Sequence, residues 1–150
     1  MHDSKVVANR FLELAEESDD TLTPMQILKL VYIAHGWMLG LYGRPLIRDE
    51  IQAWQYGPVI PSLYDAMRGF RSNPVDGPLP SRPEILSREE GSIIQQVYDR
   101  YGKLTGPALS RLTHQSGSPW DVTYVPGSFG LTISNDLIED HYNELAGAAR

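Results

Sequence analysis

The stretch Ile27–Leu41, ILKLVYIAHGWMLGL, is apolar on nearly every side of any helix it could form. Leu28, Leu30, Val31, Ile33, Ala34, Trp37 and Met38 leave no wide polar face, so the segment predicts a helix surrounded by the rest of the fold. Its start is well marked. Thr23 can cap, Pro24 suits the first helical position, and Gln26 stands at capping-box spacing from Thr23. Gly40 and Gly43 are expected to end it. The run is too short to span a bilayer and is broken by Lys29 and His35.

Around this axis the pattern predicts further helices. Ser4–Glu17 carries Val7, Phe11 and Leu14 on one stripe, with Glu13, Glu16 and Glu17 facing away. Pro61 opens a helix through Phe70. Ser87 and Glu90 form a second capping box ahead of a helix that Gly102 ends. Thr105-Gly106-Pro107 starts a shorter helix to about His114, with Leu109 and Leu112 inward, and Ser134 caps a final acidic one whose stripe is Leu137, Ile138, Tyr142 and Leu145. Pro45–Ile47 and Ile51–Trp54 read as two short extended pieces forming a small hairpin, followed by a Gly57-Pro58 turn. Residues 71–86 form a proline-rich loop, expected to be extended and mobile. Residues 117–130 are read as a loop, and Leu131–Ile133 as one more extended piece. The expected fold is mainly α: a single domain over residues 1–150, with about six helices around a buried central helix at about 23–40 and two or three short strands.

Composition removes several classes of function. Without cysteine there is no disulfide, thiolate nucleophile or Cys-type zinc site. With 19 acidic against 13 basic side chains the net charge is −6, which argues against a phosphate-backbone binder and suits a basic partner through electrostatic steering. No signal peptide is recognisable, so a cytoplasmic protein without membrane association is expected.

A search for chemistry finds little. His2, His35, His114 and His141 show no metal-ligand spacing, and no cofactor is expected. Ser110 and Thr113 lie near His114, but there is no nucleophile elbow or phosphate loop. An uncharacterised hydrolase using His114 remains a reading, because a triad can assemble from distant residues. Tyr64, Arg68 and Arg71 can share a helix face near Phe70, and Trp54 precedes a turn. Trp120 lies six residues after His114, where its ring can cover the imidazole and pin the loop.

Two groups of residues carry a resemblance. Leu22-Thr23-Pro24, Leu28-Lys29-Leu30, Ala34-His35-Gly36-Trp37, and Ala53–Pro61 with Tyr64 form the first. Leu109-Ser110, Leu112-Thr113-His114 and Pro119-Trp120 form the second. In this order and spacing the chain resembles the Panacea domain, the SocA-like, phage-associated family, from about Val6 to Leu145. The resemblance implies an antitoxin of a toxin–antitoxin system that neutralises its cognate toxin protein by direct binding. It implies as an alternative a proteolytic adaptor that delivers the bound toxin to an ATP-dependent protease, with the proline-rich loop or the final helix as tether. The family supplies no catalytic residues. Some members add a helix-turn-helix domain, for which a single domain of this size leaves no room, so direct nucleic-acid binding is not expected. The candidate partner contacts are Trp54, Tyr56, Tyr64, Arg68, Arg71, His114 and Trp120.

Overall fold

In the computed structural model, which describes residues 1–148, the Thr23 hydroxyl accepts the Gln26 N–H and the Gln26 amide accepts the Thr23 N–H at 2.8 Å. This capping box starts the longest helix, α2 (Pro24–Tyr42), with α1 (Ser4–Glu17) before it. Gly43 ends α2 in the left-handed conformation, φ 68°. Gly40 does not stop the helix. It lies inside it, where a β-carbon would sit 2.8 Å from the backbone of Tyr142. Leu41 likewise faces outward rather than into the core, and Trp37 is half-buried.

The remaining elements are β1 (Gln52–Trp54), β2 (Gly57–Val59), α3 (Pro61–Met67) with a 3-10 turn over Arg68–Phe70, α4 (Arg88–Tyr101), α5 (Gly106–Thr113), α6 (Pro119–Thr123), β3 (Leu131–Thr132) and α7 (Asn135–Ala148). Helix α2 packs against α7, α5, α4 and α1, and its side chains Leu30, Val31, Ala34 and Met38 are fully buried. The mainly α fold built around a central helix is as expected, with seven helices and three strands among the described residues.

Four local expectations are corrected. The hairpin does not join residues 45–47 to 51–54: β1 pairs antiparallel with β2, Trp54 opposite Gly57, through a two-residue turn at Gln55-Tyr56. Gly57-Pro58 is therefore strand, and proline is tolerated because β2 is an edge. On the other side β1 pairs with β3, giving the order β2-β1-β3. Second, residues 119–123 are helix: Ser118 caps α6 and Pro119 fills its first position. Third, Leu112 is 37% exposed and Leu145 40%, both off the core stripe. Fourth, the proline-rich segment is held to the body. Val75 and Leu79 are buried. The Asn9 amide accepts from Leu79 N at 2.7 Å and donates to Leu79 O at 2.9 Å. Further along, Glu84 meets Arg48 and His2. The hydrogen bond from Arg48 leads the causes that hold the Glu84 carboxyl down at about 2.

His35, on the apolar helix, has a structural task. Its Nδ1 accepts from Leu46 N and Ile47 N, and its Nε2 donates to Asn135 at 2.9 Å. One buried imidazole thus ties α2 to the segment before the sheet and to the start of α7. Burial lowers its pKa.

Candidate functional site

The β1–β2 hairpin lies over the start of α2, and three helices hold it by its carbonyls. Trp120 Nε1, from α6, donates to Trp54 O. Ser110 Oγ, from α5, donates to Tyr56 O at 2.7 Å. Lys29 Nζ, from α2, donates to Pro58 O at 2.9 Å. These carbonyls are two residues apart. Each is taken by a side chain from a different helix, so the hairpin cannot shift without breaking all three bonds.

This clamped hairpin forms one wall of a groove of about 600 Å³. Trp54 meets Tyr64 edge-to-face at 5.3 Å and Phe129 at 5.0 Å. Tyr124 closes the far side, stacked on Trp120 at 4.8 Å. The rim is apolar and open: Tyr56 is 71% exposed, Phe129 76% and Met25 43%. Contacts at these ring separations favour fixed, tilted geometries, so the walls are preformed.

The charge inside the groove is opposite in sign to that of the chain. Among the described residues its lining contains two cations, Lys29 and Arg71, and no carboxylate. Neither is in an ion pair among the described residues. Lys29 is 4% exposed, and burial pushes its ammonium down to about 8. Gly57 is left-handed, φ 119°, and a β-carbon there would lie 3.0 Å from Lys29 Nζ. A side chain at position 57 would crowd the ammonium as well as strain the backbone.

Of the residues singled out from sequence, Trp54, Tyr56, Tyr64 and Arg71 line the groove. His114 and Trp120 stand behind it. Their rings meet edge-to-face at 5.3 Å, the contact expected from their spacing, and they support the hairpin from below. Arg68 is elsewhere, 3.8 Å from Asp65 on exposed surface. It follows α3 in the 3-10 turn and is not among the groove-lining residues. Sequence reasoning missed Lys29, Phe129 and Tyr124. The signal for Lys29 was present as a lone cation on an otherwise apolar helix. Nothing marked Phe129, which reaches Trp54 only through the fold.

The geometry around His114 does not assemble a nucleophile and base. His114 Nδ1 donates to the backbone carbonyl of Ser110, while the Ser110 hydroxyl is committed to Tyr56 O. No cluster of metal-binding side chains occurs among the described residues. No helix among them is long and apolar enough to cross a membrane.

The family model described as "Antitoxin SocA-like, Panacea domain" matches residues 27–121. This chain belongs to the SocA-like Panacea domain family. The matched span contains all three clamping side chains and the hairpin they hold. Along nearly its whole length this Panacea domain is also similar to Antitoxin SocA of Caulobacter vibrioides (strain NA1000 / CB15N). The two are 31% identical over 156 residues, covering 93% of this chain and 82% of that protein. No solved structure matches it.

Proposed function

We propose that this chain is an antitoxin that neutralises a toxin protein by binding it directly, with the groove beside the β1–β2 hairpin as the contact face. The family and the relative named Antitoxin SocA support the antitoxin role. The observation that carries the binding reading is the rigid aromatic rim, in which Tyr56 and Phe129 stay about three-quarters exposed although the hairpin is clamped at three carbonyls. Exposed aromatics on a pre-ordered scaffold lose little entropy on binding and are the side chains that dominate interfaces. An ordinary interface of about 1,600 Å² is enough to cover a toxin's active site. No covalent step is part of this reading, and cytoplasmic action beside the toxin follows from it.

Occlusion is favoured over delivery to a protease. Both segments that could serve as a tether are docked: residues 71–86 through Asn9 and Glu84, and α7 against α2. The test is co-expression with the adjacent reading frame whose product is toxic alone. Growth should be restored, the two proteins should co-purify, and the toxin's half-life should stay unchanged. Tyr56→Ala with Phe129→Ala should abolish rescue while the melting temperature holds. Rescue that persists in the double variant would remove the groove from the contact face, and a shortened toxin half-life would favour the adaptor.

A further inference from the structure

Lys29 has more hydrogen-bonding capacity than the fold uses. Its ammonium carries three N–H donors, and among the described residues one acceptor, Pro58 O, is in place. Holding a carbonyl does not need a charge: Ser110 and Trp120 do the same for Tyr56 O and Trp54 O with neutral donors. A buried cation left short of partners is costly, and it is made favourable by an anion brought against it. Among the described residues, the groove that Lys29 lines contains a second cation outside any ion pair, Arg71, and no acid, in a chain where acids outnumber bases 19 to 13.

We propose that the groove reads an acidic side chain of the partner protein: an Asp or Glu carboxylate, flanked by apolar residues in an internal segment, inserts between the aromatic walls and pairs with Lys29, with Arg71 at the rim. This rests on the groove being the partner-contact face. The acid supplies the charge the lining lacks. Its neighbours supply the apolar surface that Trp54, Tyr64 and Phe129 await on both sides, which an internal segment can do and a chain terminus can do on one side only. Pairing would also bring the ammonium back toward its ordinary pKa, because the nearby carboxylate favours the charged form.

The test needs no toxin, so its failure is separable from failure of the antitoxin reading. Random heptapeptides are displayed on phage in two formats, flanked by linkers or with a free C-terminus, and selected on the full chain and on Lys29→Met. The expected result is enrichment of one Asp or Glu beside aliphatic or aromatic residues in the flanked format, lost on Lys29→Met. For the best synthetic peptide, changing its acid to the amide should weaken binding roughly 10- to 100-fold. The same change should have almost no effect with Lys29→Met, whose folding is checked by circular dichroism. Selected peptides without an acid, acid enrichment that survives Lys29→Met, or selection confined to free C-termini would overturn the proposal. The acid-to-amide comparison on the unaltered chain keeps it falsifiable even where the variant does not fold.

Discussion

The indole N–H of Trp120 donates to the backbone carbonyl of Trp54, joining α6 to β1 across 66 residues of sequence. Trp120 also stacks on Tyr124, so its ring carries one groove wall while its nitrogen fixes the other. Trp120→Phe keeps a ring and removes the donor. It should cost about 1–2 kcal/mol in chemical denaturation, the usual cost of stranding a partly buried acceptor. It should weaken partner binding more than an equally destabilising change in α1 does. Equal weakening by both would mean that Trp120 acts on stability alone.

Gly36 faces the ring of Tyr142, and a β-carbon there would lie 2.2 Å from Tyr142 Cε2. Tyr142 is held edge-on against Trp37 and Tyr32 and cannot yield. Gly36→Ala should therefore destabilise by about 2–3 kcal/mol despite alanine's better helix propensity. Gly91, in the first turns of α4 with nothing within 4 Å of its missing β-carbon, should respond the other way. Gly91→Ala is expected to stabilise by about 0.5–1 kcal/mol. Thermal melts of the two variants check the contrast.

Lys29 makes stability depend on pH in the alkaline range. Its pKa is 10.5 when free and about 8 in the fold, so between these values the unfolded chain binds more protons and stability rises with pH. Below about 8 the full penalty of the buried charge is present, corresponding to about 3 kcal/mol. Lys29→Met removes that penalty and loses the bond to Pro58 O. At pH 7 it should be more stable than the parent by about 1–2 kcal/mol. The gap should close as pH rises from 8 toward 10.5. A gap that stays constant across that window would show that Lys29 titrates normally.

Asn9 holds Leu79 through both backbone groups. Asn9→Ala strands both, and should cost about 1–3 kcal/mol and speed thermolysin cleavage between residues 75 and 85. Cleavage at an unchanged rate would mean that burial of Val75 and Leu79 is sufficient to hold the segment.

His114 supports Trp120 from beneath and donates to the Ser110 carbonyl. His114→Ala should lower stability by about 1 kcal/mol and leave toxin rescue intact at a temperature where the variant is folded. A folded variant without rescue would return the hydrolase reading.

Helix existence and most helix ends were legible because the forces that set them are local. Thr23 and Gln26, Ser87 and Glu90, and Gly43 each act within one turn, and α1 and α4 fall where their stripes and caps place them. The same local logic at Ser118-Pro119 marks α6, but only a single turn follows it, too short for an apolar period to register. Gly40 shows the opposite failure. Glycine that ends a helix and glycine that admits a neighbouring backbone look alike until α7 is brought against α2.

The sequence alone determined a chain built around one buried helix, supplied with aromatics rather than reactive groups, and recognisable as a Panacea domain. It also placed Trp54, Tyr56, Tyr64 and Arg71 in one short stretch. Only the tertiary structure decided that Phe129 faces Trp54, that Arg68 is not among the groove-lining residues, that β1 pairs with β3 from the far end of the chain, and that Lys29 lies in the groove with no ion pair among the described residues. The reason is separation. Capping and periodicity act over about four residues, whereas a groove is made by side chains from five elements, and whether a cation there has a partner depends on which of them the fold brings near.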